Sequence, residues 1–410
     1  MNLLDYLVAF SKWALIAITV GLIGGVVGSI FHLAIDGVTE FRGENGWLIY
    51  LLPVGGLVIA GLYHLCRKVG SVDTNRVLRA ARSDEKVPFV MAPLIFASTL
   101  ITHLLGGSAG REGAALQLGG SIGYHLGRLF RLNKNDLHII VMSGMSAVFA
   151  ALFGTPLTAM FFSIEVTDVG KMAYAGLFPC ILSAMVASKV ALWFGLPPTR
   201  FVLQNIPEWD VAVAGKTVVL ALLCAGVAIL FCVALKFFEH GAAKRIPNRY
   251  WRALLGGCII VVLTLLVRTT DYNGAGMSVI SDAMSGVARP EAFLLKILFT
   301  AVTIAAGFKG GEIVPTFFIG STFGCVAGSL LGLDPGFAAA IGFVALFCAV
   351  VNCPVASVVL AMEVFGGQGM LLFALACGVS YLMSGYFGLY ESQHFDSSKL
   401  KAENIDRHAN

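Results

Sequence analysis

The order of glycines, prolines and glutamates in the first half of this chain returns in the second half, and this repeat constrains the fold more than any other feature. Glu112 is followed eight residues later by Gly-Ser-Ile-Gly, and Glu312 is followed eight residues later by Gly-Ser-Thr-Phe-Gly. Downstream, residues 153–166 (FGTPLTAMFFSIEV) and 351–364 (VNCPVASVVLAMEV) each carry a proline nine residues before a glutamate. The offsets between the halves are 200 and 198 residues. A repeat of this kind predicts two structurally equivalent halves.

The apolar segments of both halves are typical of a membrane protein. Of the 410 residues, 57% are hydrophobic and 13% are charged, whereas about a quarter of a soluble domain is charged. Several apolar runs cover only about ten to fifteen residues, which favours broken or re-entrant helices over full spans. We therefore expect an all-α polytopic membrane protein with two inverted-topology repeats, at about 11–195 and 211–387. Residues 1–390 would form the membrane domain, and 391–410 a short polar cytoplasmic tail without a folded regulatory domain.

The positions of lysine and arginine predict the orientation in the membrane. Basic residues gather in the loops 67–86, 128–134 and 236–252. By the positive-inside rule, these three loops should share the cytoplasmic side. They do so only if the chain around Glu112 enters the membrane and returns without a full span. The charge pattern therefore also favours a re-entrant element at this glutamate.

The composition gives no support to several other classes of protein. The net charge of +4 is spread over separated loops, so no basic stripe suited to nucleic acid appears. Nine cysteines are scattered singly, without the spacing of a metal site or a disulfide framework. No nucleophile–base constellation or nucleotide-binding loop is present. We therefore expect neither an enzyme nor a cofactor or metal site.

The glycine-rich stretch around Glu112 has the composition of an anion site. Residues 106–120 read GGSAGREGAALQLGG and place Arg111 and Glu112 between apolar runs. A charged side chain near the bilayer centre costs roughly 2.5–3.5 kcal/mol, so it usually has a function or a partner. A helix that begins near Glu112 would direct free N–H groups and its positive dipole end at an anion. Charged, the carboxylate can occupy this site; protonated, it can leave it to a substrate anion. The alternative is a helix-start glutamate at the membrane interface.

These motifs resemble those of the CLC family of anion channels and proton-coupled anion antiporters. The sequence GSAGREG (107–113) looks like the family's glycine–basic–glutamate–glycine motif, and GFKGGEIVPTFFIGSTFG (307–324) stands where the family has its Gly-x-Phe-x-Pro segment. The similarity covers about 24–390. It implies a homodimer with one anion path in each subunit. Beside Glu112 and Glu312, it assigns anion contacts from these two segments to Gly110, Arg111, Gly113, Gly311, Ile313 and Val314.

Glu312 favours the fluoride/proton antiporter branch of that family. The resemblance places a second carboxylate at this position in the fluoride branch and an apolar residue in chloride transporters. A protonated carboxyl donates a strong hydrogen bond, which a small hard anion rewards more than chloride does. Val166 stands where chloride/proton antiporters carry an internal proton-transferring glutamate, and valine cannot titrate. The alternatives for Glu312 are capping of the helix that begins at Ile313 and pairing with Lys309. Glu165 and Glu363 are expected on the dimer side or in the structural framework.

Two further segments contribute candidate anion contacts by resemblance. In GSVDTNRVLRA (70–80), the residues that match the family's anion-facing helix start are Asp73, Thr74 and Asn75. Asp73 departs from the family pattern, and a helix N-cap explains the same residues. Tyr390 resembles the family tyrosine whose hydroxyl faces the anion, with Tyr386 as the competing candidate. The alternative for both tyrosines is an interfacial aromatic belt. Val314 lacks the hydroxyl that the fluoride branch often has at its position.

The favoured function is proton-coupled fluoride export across a bacterial-type cell membrane, with Glu112 as gate and proton carrier and Glu312 as a second titratable selectivity residue. The partners would be fluoride, protons, the lipid bilayer and a second copy of the chain, without nucleic acid. The first alternative is a chloride-selective or broadly anion-selective channel or exchanger of the same family. The second is a cation-coupled solute carrier whose two glutamates bind the cation.

Overall fold

A computed structural model describes residues 3–66, 73–401 and 403–410, and its chain is mostly helical. Residues 67–72, which begin the first predicted basic loop and contain the start of GSVDTNRVLRA, lie outside the described residues. The α-helices of the first half are α1 Leu3–Glu44, α2 Leu52–Leu65, α3 Thr74–Ala80, α4 Met91–Leu104, α5 Glu112–Leu129, α6 Lys134–Phe153, α7 Pro156–Glu165 and α8 Leu177–Trp193. Short 3-10 helices cover Gly46–Leu51 and Tyr174–Gly176.

The second half repeats this pattern of long and short helices. Its helices are α9 Val211–Arg245, α10 Arg249–Val267, α11 Met277–Met284, α12 Ala292–Ala305, α13 Ile313–Leu330, α14 Pro335–Val351, α15 Pro354–Phe365 and α16 Met370–Met383. In the described chain, seven helical segments are long and apolar enough to cross a membrane, and five further apolar helices have only 10–17 residues. The prediction of a mostly helical, multi-span protein with short helices is confirmed.

Corresponding helix pairs of the two halves each cross through glycines. In the first half, α5 and α6 cross where a Cβ atom on Gly119 would lie 2.2 Å from the carbonyl oxygen of Gly144. In the second half, α13 and α14 cross where a Cβ atom on Gly320 would lie 2.3 Å from the carbonyl oxygen of Gly342. Small residues let helix backbones approach this closely inside a membrane. Glycines therefore permit a close helix crossing in each half.

The proline helices α7 and α15 lie antiparallel and cap each other. The carboxylate of Glu165 accepts hydrogen bonds from the N–H groups of Val355 and Ala356 at 3.2 and 2.9 Å. The carboxylate of Glu363 accepts from the N–H group and the hydroxyl of Thr158 at 2.8 and 2.7 Å. The end of each helix therefore contacts the start of its counterpart in the other repeat. An inverted repeat allows this arrangement. The expectation that both glutamates belong to the framework is confirmed.

The C-terminal segment forms a small sheet rather than a plain polar tail. Strand β1 (Asp168–Val169) pairs in parallel with β2 (His394–Ser397), which pairs antiparallel with β3 (Asn404–His408). The buried amide of Gln393 anchors the hairpin by donating to the carbonyl oxygens of Val166 at 3.1 Å and Val351 at 2.7 Å. These two carbonyls lie at the ends of α7 and α14, where helices leave acceptors without partners. The segment is therefore part of the folded domain.

Candidate functional site

The two glycine-rich segments meet at a backbone bridge between the repeats. The N–H group of Gly110 donates to the carbonyl oxygen of Gly311 at 2.6 Å, and the N–H group of Gly311 donates to Gly110 at 2.8 Å. A Cβ atom on Gly311 would lie 2.4 Å from the backbone nitrogen of Gly113, so no other residue fits this approach. Helices α5 and α13 begin directly after the bridge. Two helix starts, one from each repeat, therefore converge on one point.

The carboxylate of Glu112 occupies this point. Its side chain is fully buried, and one oxygen, Oε2, accepts a hydrogen bond from the N–H group of Arg111 at 2.9 Å. The N–H group of Val314, in the first turn of α13, also faces the carboxylate. Among the described residues, the other oxygen, Oε1, has no hydrogen-bond donor and lies 3.8 Å from the guanidinium of Arg111. The carboxylate thus sits where free N–H groups and two positive helix ends suit an anion. Its role as a gate stays a prediction.

Arg111 lies between Glu112 and a water-accessible cavity of about 530 Å³, which we call the Arg111 cavity. Its guanidinium pairs with Asp36 at 2.9 Å, and Asp36 in turn contacts the imidazole of His32 at 3.1 Å. Val314 borders the same cavity. The side chain of Arg111 is thus held by a carboxylate other than Glu112. An anion in this cavity would meet a guanidinium whose positive charge is already paired with the carboxylate of Asp36.

Glu312 lines a second cavity of about 250 Å³, which we call the Tyr390 cavity. Its carboxylate lies beside the start of α5, since Oε2 is 3.7 Å from the point where a Cβ atom on Gly113 would stand. Glu312 occupies the N-cap position of α13, yet its side chain makes no capping hydrogen bond. Lys309 borders the cavity and forms no ion pair with a described carboxylate; its ammonium lies 4.6 Å from the centre of the Tyr63 ring. The two structural alternatives for Glu312 were capping of α13 and an ion pair with Lys309. Neither contact is present among the described residues.

The start of α3 reaches the Tyr390 cavity as well. Asp73 is its N-cap, and its carboxylate accepts from the N–H group of Arg76 at 2.9 Å, so the N-cap interpretation of this residue is confirmed. Asn75 borders the cavity, and its side-chain oxygen Oδ1 accepts from the N–H group and the hydroxyl of Ser392 at 3.1 and 3.0 Å. Thr74 also borders the cavity. The departure at Asp73 from the resemblance is thus explained by helix capping.

The two tyrosine candidates are separated by their surroundings. Tyr390 is 2% exposed, borders the cavity that carries its name, and has a hydroxyl without a partner among the residues described. Tyr386 instead lies against the C-terminal hairpin, where its hydroxyl is 3.2 Å from that of Ser398 and its ring packs under the guanidinium of Arg407. A buried hydroxyl without a partner costs about 1–3 kcal/mol unless something binds to it. Of the two, Tyr390 therefore has the geometry of an anion contact.

Sequence reasoning missed several residues of the Tyr390 cavity, among them Gln117 and Glu239. Gln117 is 4% exposed, its side-chain nitrogen donates to the hydroxyl of Thr74 at 3.1 Å, and its side-chain oxygen has no partner in the described chain. Glu239 borders the cavity from the end of α9. The signal for Gln117 was present, because it is a lone amide among small and apolar residues of α5. The signal for Glu239 was absent, because an acid at the end of a long helix looks like an ordinary solvated residue.

One group of side chains in the described ranges has the spacing of a metal site, and it lies away from the bridge. Asp168, His394 and Asp396 place one ligand atom each within 4.8 Å of one another in the small sheet. Asp168 already pairs with Arg82 at 3.1 Å, and Asp396 pairs with Lys171 at 3.3 Å. This group is an ion-pair network that holds the hairpin against β1.

Comparison with known families and proteins places this geometry in context. A family model described as voltage gated chloride channel matches residues 55–385. A chloride/fluoride channel protein of Pseudomonas syringae pv. tomato is 37% identical over 407 residues, covering 97% of this chain and 89% of its own. An H+/Cl− exchange transporter of Vibrio cholerae is 25% identical over 400 residues, covering 87% of this chain and 82% of its own.

Solved structures agree with the sequence relatives. The crystal structure of a CLC-type fluoride/proton antiporter superimposes with a TM-score of 0.91 at 31% identity, covering 96% of this chain and all of the other. The structure of a slow cyanobacterial Cl−/H+ antiporter gives a TM-score of 0.78 at 20% identity, covering 91% of this chain and 94% of the other. The second match speaks for the fold alone.

Proposed function

Because the chain belongs to the voltage-gated chloride channel (CLC) family, we propose that it is a fluoride/proton antiporter that exports fluoride. The single observation that carries this proposal is the pair of carboxylates at the Gly110–Gly311 bridge, Glu112 in the N–H cradle and Glu312 beside it. Similarity to a chloride/fluoride channel protein and to a fluoride/proton antiporter supports the choice of anion.

Glu112 acts as the gate by competing with the anion. When charged, its carboxylate accepts from the N–H group of Arg111, faces that of Val314 and closes the path. When protonated, it no longer benefits from the positive helix ends, so fluoride can take its place. The side chain carries its proton as it moves. Anion and proton therefore pass in opposite directions by alternating at one site.

Glu312 and Tyr390 favour fluoride over chloride. A protonated carboxyl and a phenol are strong hydrogen-bond donors, and a small anion that has lost its water gains most from such donors. The Tyr390 hydroxyl is available because no described residue occupies it. Val166, fully buried and apolar, offers no proton site at the end of α7. The two glutamates at the bridge therefore carry the proton in this chain.

The cavities face opposite sides of the membrane. The Tyr390 cavity is bordered by Lys236 and Glu239, within the basic segment 236–252, and by Asp73, within the basic loop 67–86. The positive-inside rule assigns these segments to the cytoplasm. The Arg111 cavity then opens outward. Fluoride would enter at Tyr390 and leave at Arg111, across a bacterial-type plasma membrane, in a homodimer with one path in each subunit.

Flux measurements in proteoliposomes test this function. Vesicles loaded with equal fluoride and chloride, with protein of known orientation, are followed with electrodes selective for each ion while external pH is recorded. We expect fluoride efflux coupled to proton uptake, and no effect of replacing sodium. Faster efflux of chloride than of fluoride would overturn the selectivity. Fluoride flux without proton movement would instead identify a channel. Mass photometry in detergent tests the dimer.

A further inference from the structure

Helix α12 carries a buried positive charge that the transport cycle described above does not use. Lys296 is 0% exposed, and its ammonium forms no ion pair with any carboxylate of the described residues. A lysine inside a membrane-spanning region is expensive, and such residues usually mark functional sites. The question is which part of the molecule this ammonium serves.

The ammonium of Lys296 holds a single loop. It donates to the carbonyl oxygens of Tyr272 at 3.1 Å and Gly274 at 2.7 Å, and it lies 5.0 Å from the ring centre of Phe318. An ammonium has three donors, so two go to the loop and one faces an aromatic ring. Lys296 thereby holds residues 271–276, between α10 and α11, from behind. The front of this loop forms part of the wall of the Arg111 cavity.

The 271–276 loop forms two hydrogen bonds to the Gly106–Gly110 turn, which leads to Glu112. The side-chain amide of Asn273 donates to the carbonyl oxygen of Gly106 at 2.8 Å. The N–H group of Gly274 donates to the carbonyl oxygen of Gly107 at 3.0 Å. Gly274 therefore accepts from Lys296 through its carbonyl and donates to the turn through its N–H group. Only one residue separates the ammonium from the turn.

The same face of α12 reaches the turn by a second route. Thr300 and Thr303 follow Lys296 at i+4 and i+7, which places the three side chains on one helix face. The hydroxyl of Thr303 accepts from the N–H group of Ser108 at 3.1 Å, and the hydroxyl of Thr300 lies 3.1 Å from that of Ser108. Both ends of this polar stripe therefore converge on residues 106–108.

We propose that Lys296 is a positioning residue for Glu112, because it holds the 271–276 loop that fixes the Gly106–Gly110 turn from which Glu112 projects. The turn is fixed at its far end by the Gly110–Gly311 bridge and at its near end by this loop. Loss of the loop contacts leaves only the bridge and the contacts of Ser108 with α12 to set the direction of Glu112. The proposal rests on the proposed function only in giving Glu112 the role of gate.

Hydrogen exchange of backbone amides, measured by mass spectrometry in detergent, tests the positioning without any assumption about the transported ion. We expect Lys296→Met to speed exchange about tenfold in peptides covering 104–111 and 268–276, because two buried carbonyls lose their donor. Lys296→Arg keeps a charged donor and should restore most of the protection. Lys216→Met is the matched control, since Lys216 also donates to a backbone carbonyl, that of Gly332 at 3.0 Å, but at the surface.

A second variant keeps the proposal testable if Lys296→Met does not fold. Asn273→Ala leaves the ammonium and its two carbonyls in place but removes the bond to Gly106. We expect faster exchange at 104–111, with less change at 268–276. In vesicles, both variants should lower the ratio of protons to anions exchanged, whichever anion the wild-type protein carries. Unchanged exchange at 104–111 in both variants overturns the positioning role. Transport of chloride alone by the wild-type protein overturns only the proposed function.

Discussion

The internal repeat relates two pairs of glutamates, Glu112 with Glu312 and Glu165 with Glu363. The two pairs differ in the hydrogen bonds that their carboxylates accept. Glu165 and Glu363 place both carboxylate oxygens on N–H groups at the start of α15 and α7; beyond the bonds to Thr158, Glu363 accepts from Leu157 at 3.0 Å. Glu112, by contrast, leaves one oxygen without a donor among the described residues, and Glu312 makes no capping bond to the helix it begins. The carboxylates of Glu165 and Glu363 therefore have their hydrogen-bond donors in place, whereas those of Glu112 and Glu312 do not have all of theirs among the described residues.

The difference follows from where each glutamate stands on its helix. Glu165 and Glu363 lie at or near the ends of their helices and reach across to the start of another, so a carboxylate that moves away must break at least two hydrogen bonds. Glu112 is the first residue of α5 and Glu312 directly precedes α13, so rotation about side-chain bonds is enough to take the carboxylate away. Helix starts therefore serve as fixed anchors in one place and, in the function we propose, as exchangeable anion sites in the other. Four substitutions sharpen or break this comparison.

The largest effect is expected from Glu312→Gln. The amide cannot take up and release a proton, and it is a weaker donor than a protonated carboxyl. We expect fluoride efflux to fall by about 100-fold, which corresponds to about 2.7 kcal/mol in the barrier. A fluoride electrode in the vesicle assay measures this. Glu208→Gln, in an exposed loop, is the control. Wild-type efflux from the Glu312 variant would remove this residue from the path.

Glu112→Gln should uncouple the two ions rather than stop the anion. The neutral side chain resembles the protonated gate and no longer competes for the N–H cradle. We expect anion efflux to continue while proton movement falls to the level of empty vesicles. Simultaneous recording of external pH and external fluoride gives the ratio directly. Proton coupling that survives this change contradicts the gating role.

Glu363→Ala should lower stability while the coupling stays unchanged. It removes the acceptor for two N–H groups and one hydroxyl at the start of α7. Loss of such a cap costs about 2–3 kcal/mol in the free energy of unfolding. The midpoint of thermal unfolding in detergent should drop by several degrees relative to Glu208→Ala. A changed proton-to-anion ratio in the surviving folded protein would show that the saturated pair also takes part in transport.

The smallest effect is expected from Tyr390→Phe. It removes one hydroxyl that has no protein partner in the described residues, so stability should not fall. Loss of one donor to the anion should slow fluoride efflux about three- to tenfold. Tyr386→Phe is the matched control, because that hydroxyl belongs to the C-terminal hairpin. Equal rates for both variants would remove Tyr390 from the anion contacts.

The sequence alone predicted much of this arrangement, for physical reasons that differ by region. Glu112 and Glu312 were found because charge is rare in apolar sequence, and the repeat gave them partners in corresponding positions. The reciprocal capping by Glu165 and Glu363 required the relative placement of two helices, which residue order does not contain. The C-terminal hairpin was missed because its strands have only four and five residues and are stabilised by distant carbonyls at Val166 and Val351.

That hairpin has a practical consequence for anyone who engineers the chain. Ser392 holds Asn75, and Gln393 ties the ends of α7 and α14, within three residues of Tyr390. A fusion junction, protease site or truncation placed before residue 394 therefore disturbs the wall of the Tyr390 cavity. Reporter tags in this region belong among the experimental variables, and flux comparisons between laboratories are meaningful only for matched C-terminal sequences.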